Sequence, residues 1–451
     1  MKFYDRKKEF KALSDLRGPA RIAVVGRRRI GKTTLVERFF GKRAITFFVP
    51  SEKAQRMIIQ DWVREHPDKH LPALENFKDF FEQVFLHHKD SVVFIDEFQN
   101  ITNVAPSFLY DLQHLIDKHH PDLVVTGSLI SVMKGVVEAY KSPLYGRFDL
   151  IIKLKELDLL TVVEICRDMG LSFENTLRLY SVFGGIPKYY DLISRSKGFD
   201  INETLASWFI LYPHPLFEEV RTMLKEEFGS EFKTYFTILY AISQGSNRSS
   251  EIAGALGRKE TDITKYLANL KDEFEIIERH VPITGGRRGH YTIKDKMTAF
   301  WFKTVWKHYS LMETGQERKA RSLFERDMQG HISRAFEEIV REVIPLMSPF
   351  EPMAIGRQWG RMPGMPKGSD QYEIDVMAIN DLTGEALFVE CKWQDDVDAR
   401  AVLENLKRKA ACVDWNLGNR REHYAIFAKS FRRRTTGAKL VNLNELQEIL
   451  S

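Results

Sequence analysis

The chain has 451 residues, 43% of them hydrophobic and 29% charged, with a formal charge of +5. That length exceeds what one core supports, so two to four domains are expected, and no run approaches the roughly 20 apolar residues of a membrane helix. Three scattered cysteines, Cys166, Cys391 and Cys412, exclude a disulfide framework and a cysteine-based zinc site, and the charged start MKFYDRKKEF is no secretory signal, so a cytoplasmic protein is expected.

Residues 20–50 alternate an apolar strand, a Gly-bounded loop, a helical stretch carrying Leu35, Phe39 and Phe40, and a second strand, which is βαβ grammar. Further apolar strands at 91–100 and 122–130 predict a parallel sheet covered on both faces. Residues 157–228 read as helical, broken by the turn FGGIPKYY. Three short helices and two strands around Gly-Gly fill 229–305, the order of a winged helix-turn-helix. From 306 to 451 an amphipathic helix with Phe336, Ile339, Val340 and Val343 on one stripe precedes a loop rich in Gly, Pro and Arg, a hairpin, a helix near 400–415 and the strand HYAIFAK. The expected class is multidomain α/β: a P-loop core (1–156), a helical lid (157–228), a winged helix (229–305) and a C-terminal α/β domain (306–451).

The segment GRRRIGKTT has the spacing of a phosphate loop: Gly26, then Arg27, Arg28, Arg29 and Ile30, then Gly31, Lys32, Thr33 and Thr34. Glycines let backbone N–H groups curl around a β-phosphate, Lys32 neutralises the β/γ charge, and the Thr33 hydroxyl helps hold Mg²⁺ at a positive helix N-terminus. VVFIDEF ends in Asp96, placed to hold that ion through water, and Glu97, placed to polarise the attacking water of an ATPase. At the tip of the next strand Thr126 and Ser128 either orient that water, sense the γ-phosphate or cap the loop.

With FYDRKKEFKAL, GRRRIGKTTLV, VVFIDEFQN, VVTGSLISVM, SPLYGR and FGGIPKYY in this order, residues 1 to about 225 resemble the archaeal-type ATPases, a branch of the AAA-like and signal-transducing P-loop ATPases. The resemblance implies ATP and Mg²⁺ as cofactors. It also implies that Arg147 acts near the γ-phosphate, within its own subunit or across a homo-oligomer interface; a structural salt bridge is the alternative. GGIPKYY is implied to be a lid segment packing over the nucleotide, where the residues themselves give only a turn before a helix.

In the predicted winged helix, Ile252, Ala253 and Leu256 pack the first helix of the pair, Gly257 turns, and Ile263, Tyr266, Leu267 and Leu270 anchor the second. Lys259, Thr261, Asp262, Lys265 and Asn269 are left to face a DNA groove, and Arg279, Arg287, Arg288 and Lys294 give the wing a positive field. Asp262 argues against DNA, and an internal spacer is the other reading.

The stretch YEIDVMAINDLTGEALFVECKW places carboxylates among apolar residues. Side chains two apart on a strand share a face, so Glu390 and Lys392 point together and Cys391 away, while the NDLTGE turn brings Asp375 back towards Glu390. Glu337, beside the buried stripe of the preceding helix, can join them. Such a set suits Mg²⁺ and a phosphodiester, although solvated hairpin ends would give the same residues. Basic stretches holding Arg357, Arg361 and Lys367, and KSFRRRTTGAK, flank the set and could track a phosphate backbone.

The order resembles the PD-(D/E)xK nuclease fold, and residues from about 305 onwards resemble the uncharacterised domain that often follows archaeal-type ATPases. The resemblance implies Glu337, Asp375 and Glu390 as metal ligands and Asp375, Glu390 and Lys392 as catalytic. Two functions are expected to compete: an ATPase coupled to DNA binding and metal-dependent DNA cleavage, and a signalling or transcription-regulating ATPase switch with a silent nuclease-like module.

Overall fold

Strand alternation sorts the apolar residues of the first strands into two layers. Ala23, Val25, Ile45, Phe47, Val93, Ile95 and Val125 join one core, whereas Ile22, Val24, Val92, Phe94 and Val124 join another with Leu35 and Val36. Such two-sided burial is what a parallel sheet requires. A computed structural model describes residues 2–196, 200–210, 215–286, 289–366 and 370–450 of the chain. Arg287, Arg288 and Lys367 fall outside the described residues.

The chain divides into two compact units, residues 1–157 with 186–193, and residues 158–185 with 194–451. The first contains α1 (Lys7–Ser14), β1 (Arg21–Val25), α2 (Lys32–Phe40), β2 (Ala44–Phe48), α3 (Gln55–Glu65), α4 (Phe77–His87), β3 (Val92–Asp96), α5 (Ile101–Val104), α6 (Phe108–His119), β4 (Leu123–Gly127), α7 (Ile130–Met133) and β5 (Leu150–Lys153). Its five strands are parallel in the order β2-β3-β4-β1-β5.

One layer is unusually aromatic. Trp62 packs on Phe47, Phe77, Phe80 and Phe81 with ring centroids 5.2–5.7 Å apart, and donates its indole N–H to Phe48 O at 2.8 Å. Trp62→Ala removes that packing and the hydrogen bond together, and is expected to cost about 3–5 kcal/mol, read as a lower denaturation midpoint.

Helices α8 (Leu159–Asp168) and α9 (Phe173–Phe183) belong to the second unit, whereas most of α10 (Pro187–Arg195) belongs to the first. The division falls within GGIPKYY: Gly184 and Gly185 belong to the second unit, and residues 186–190 to the phosphate-loop unit. The second unit continues with α11 (Ile201–Phe209), α12 (Pro215–Phe228), α13 (Phe232–Ser243), α14 (Ser249–Ala255), α15 (Glu260–Asp272), β6 (Ile277–His280) and β7 (His290–Ile293), the last two antiparallel. Ile263, Leu267 and Leu270 are buried on α15, and Gly257 makes the α14–α15 turn at φ 63°. Asn269, expected on the exposed face, instead donates to Tyr235 Oη at 2.9 Å and is half-buried, because it sits one turn after Tyr266, whose ring also packs on Tyr235.

The rest is α16 (Lys296–Thr304), α17 (Tyr309–Glu313), α18 (Glu317–Met347), β8 (Ala354–Arg361), β9 (Gln371–Asn380), β10 (Glu385–Lys392), β11 (Val397–Asp398), α19 (Ala399–Ala410), β12 (Arg421–Ala428), β13 (Phe431–Arg433), β14 (Lys439–Val441) and α20 (Leu443–Ile449). A mixed sheet runs β14-β12-β10-β9-β8, with β8, β9 and β10 antiparallel and β10, β12 and β14 parallel. The stretch expected to be a Gly-rich loop is therefore partly strand β8. Its Gly360 lies against the Tyr372 ring, where a Cβ would come within 2.8 Å, so glycine here is a packing requirement.

Candidate functional sites

The even parity of β3 and β4 that buries Phe94 and Val124 against α2 also decides where Asp96 and Thr126 point. Both fall on the α2 side, and Thr33 at the first turn of α2 donates to Asp96 Oδ2 at 2.8 Å while Thr126 donates to Oδ1. Lys32 is 5% exposed and donates to Gly26 O and Arg27 O, each at 2.9 Å. Burial pushes its pKa down to about 8, with Glu97 and Asp96 opposing the shift. The loop turns through Arg29 and Gly31, both at positive φ. At Gly26 a Cβ would lie 2.7 Å from Leu154 O, so that position admits no side chain without backbone movement.

Glu97 also has positive φ, 55°. It accepts from Ser128 Oγ at 2.7 Å and from the Gln99 amide, whose carbonyl oxygen lies 3.3 Å from Ser128 N. Ser128 therefore holds the Glu97 carboxylate in place. Gln99, 2% exposed, escaped the sequence reading although it lies in the quoted VVFIDEFQN. So did Arg6, buried near the N-terminus, which donates to Ile30 O at 3.1 Å and Lys155 O at 2.8 Å and braces the phosphate loop. Tyr189 of the GGIPKYY segment faces the Arg29 guanidinium at 5.7 Å. Arg147 is ion-paired with Asp117 of α6 at 3.0 Å and donates to Tyr145 O, the structural salt bridge weighed against a γ-phosphate role.

In the second unit, β9 carries a bulge at its centre. Gly356 faces Met377 and Gln358 faces Ile374, so Arg357 alone opposes Asp375 and Val376. A bulge re-aims a side chain. Asp375 here leaves the ladder and accepts from Cys391 N at 2.7 Å. Burial, then Glu390, pushes its pKa up to about 6, whereas the Cys391 N–H, Lys392 and Lys409 oppose the rise. Glu337 on α18 is pushed up to about 8 by burial and by Asp375, against Arg357, which donates to it at 2.9 Å. The adjacent Glu338 pairs with Lys296 at 3.1 Å.

Glu337, Asp375 and Glu390, expected as ligands of one or two metal ions, do not meet as a single group. Among the described residues no group of three or more His, Cys, Asp or Glu is arranged to hold a metal ion. Strand parity explains this. Ala386 and Phe388 of β10 pack with Leu406 and Ala410 of α19, so Glu390 lies on the α19 side and takes Lys409 on both oxygens, at 3.1 and 2.8 Å, besides Lys392 at 2.7 Å. Phe336 of α18 meets Trp393, on the parity of Cys391, so Glu337 approaches from the other layer. Asp375 lies between the two. Arg357, expected to track a phosphate backbone, is engaged by Glu337, and Arg361 pairs with Asp370 at 3.5 Å. Lys409 was missed because nothing in LENLKRKAA separates it from the exposed Lys407 and Arg408 except its spacing from Leu406 and Ala410.

No helix among the described residues is long and apolar enough to cross a membrane. Residues 3–192 match the model of an ATPase domain predominantly from Archaea, and residues 301–405 that of archaeal and bacterial proteins of unknown function. The chain is 32% identical to the uncharacterized protein MJECL04 of Methanocaldococcus jannaschii, over 96% of its own length and 97% of that protein's. Its fold is similar to the Walker-type ATPase PABY2304 of Pyrococcus abyssi, with a TM-score of 0.51 and 19% identity, covering 66% of this chain and 96% of that one. The chain belongs to one family with the Methanocaldococcus protein, a family built on an archaeal-type ATPase domain followed by the C-terminal domain of the second match.

Proposed function

We propose that the first unit binds and hydrolyses ATP with Mg²⁺, and that the second unit uses this cycle to bind DNA and cleave it with a divalent metal. The observation that carries the ATPase reading is the pair of adjacent acids held apart in role. Asp96 is tied to Thr33 and Thr126, whereas Glu97 is turned by its positive φ towards Ser128 and Gln99. Thr33 and Asp96 would hold Mg²⁺, which takes one or two protein ligands and completes its shell from phosphate and water. When bound, that ion neutralises charge developing on the γ-phosphate. Lys32 supplies a dry ammonium beside the phosphates, and Glu97 accepts the proton of the attacking water.

Glu97→Gln is therefore expected to keep ATP bound and to lower turnover by about 10²–10⁴-fold. Equilibrium binding of a fluorescent ATP analogue and single-turnover hydrolysis check this; full turnover would remove Glu97 from the chemistry. For the second unit, helices α13 to α15 with β6 and β7 serve as a winged helix, and Asp375 with Glu337 or Glu390 would hold the metal. Buried carboxylates whose charges oppose one another, Glu390 raising the Asp375 pKa and Asp375 that of Glu337, are a place where a divalent cation is stabilising. The switch reading keeps support from one contact set: Lys409 and Lys392 satisfy Glu390, and Arg357 satisfies Glu337, without any metal.

A further inference from the structure

A cleft of about 730 Å³ lies within the second unit, and its lining runs from the α13–α14 turn and β7 across α16 and α18 to β8 and β9, ending at Glu337 and Asp375. Much of its charge is internally matched. Arg248 lies 3.7 Å from Glu251, Lys296 pairs with Glu338, and Arg357 with Glu337. Two lining cations are left without an ion pair among the described residues, Lys303 of α16 and Arg334 of α18, and the acids left without one are Glu373 and Asp375 of β9.

Lys303 is half-buried and reaches only Gly330 O at 3.4 Å. Burial and then the Arg334 charge push its pKa down to about 8 against the opposing charges of Asp327 and Glu337, and both cations line the same cleft. Such a pair costs free energy in the empty protein and is relieved by an anion. In the same cleft, the His290 and Trp359 rings stack at 4.6 Å and 10°, each half-buried, forming an aromatic wall. Two cations, an aromatic wall and acidic residues line one groove. A single strand presents them with a phosphate, a base and a scissile bond. The volume is that of a small-ligand pocket, enough for a nucleotide or two and too small to admit a duplex.

We propose that this cleft binds single-stranded DNA, with a backbone phosphate on Lys303 and Arg334 and a base against the Trp359–His290 wall, delivering the strand to Asp375. The fate of the strand at Asp375 rests on the cleavage reading; its binding does not.

The test is fluorescence anisotropy of the full chain with a labelled oligothymidine of about ten nucleotides, in EDTA, across a salt series, beside a duplex of equal length. Arg334→Gln with Lys303→Gln should weaken single-strand binding and flatten the slope of log affinity against log salt by about 0.7, the share of one phosphate on a single strand. Trp359→Ala should weaken it about tenfold. Duplex binding should be unaffected by all three changes. Arg334 is exposed, so Arg334→Gln alone keeps the test decisive if the change at Lys303 unfolds the protein. Unchanged affinity and slope, or an equal loss for duplex, would overturn the proposal. If the oligonucleotide binds as described and is never cut when Mg²⁺ or Mn²⁺ is restored, the cleavage reading falls and the cleft stands. Cutting that survives Arg334→Gln with unaltered single-strand affinity gives the reverse.

Discussion

Lys32→Ala should abolish steady-state ATP hydrolysis, by about 10²–10³-fold, the usual effect of removing one preorganised charge from a dry site. The side chain is buried at the head of α2, pinned by Gly26 O and Arg27 O, so it is in place before nucleotide arrives. Its pKa near 8, against an ordinary 10.5, adds a pH signature. Phosphates select the protonated amine. Above pH 8 the nucleotide-free protein has lost that proton and must take one up to bind ATP, so affinity should fall by up to about tenfold per pH unit. Below pH 8 affinity should be flat.

The stability sign runs in the opposite sense to that of a paired lysine. A folded pKa below the unfolded value means that the buried ammonium costs stability below pH 8, and that the cost is relieved as pH rises towards 10.5. Lys32→Ala should therefore not lose activity by unfolding. Turnover retained in the variant, or ATP affinity independent of pH between about 7 and 10, would remove Lys32 from its assigned place.

Continuous apolar runs made the first sheet legible in the sequence. VVFIDEF is apolar at every position up to Asp96, and once the sheet is parallel, parity alone sends Asp96 and Thr126 to the α2 face. The phosphate loop was legible for the same reason, since its spacing is imposed by backbone geometry that few other sequences satisfy. Long-range features were not. Strand β8 was hidden by Gly356 and Gly360, which lower β propensity but make room for neighbours across the sheet. The bulge at Asp375 depends on register with β8, and register is not written in β9 alone. Arg6 works on Ile30 and Lys155, far from it in sequence. Lys409 looks like any solvated lysine until α19 is laid on β10.

Those missed contacts shape the remaining prediction, which concerns the metal. Asp375→Asn is expected to lower divalent-metal-dependent DNA cleavage by at least about 100-fold, because the carboxylate beside both Glu337 and Glu390 is the one that an ion must use. Metal requires ionised carboxylates, and the metal-free protein holds Asp375 protonated up to about pH 6 and Glu337 up to about pH 8. Both values lie above the ordinary 3.8 and 4.5, so the stability these groups contribute is full at low pH and is lost as pH rises through 6 and then 8. The cations that face them, Arg357, Lys392 and Lys409, reduce this loss without cancelling it. A divalent ion should restore what is lost. Mg²⁺ should therefore raise the melting temperature of the second unit at about pH 8 and leave it nearly unchanged at about pH 5, where the acids carry protons. In Asp375→Asn the difference between the two pH values should largely disappear. Equal Mg²⁺ effects at both, in parent and variant alike, would mean that Glu390 stays with Lys409 and Glu337 with Arg357, as expected of a module that binds without cutting.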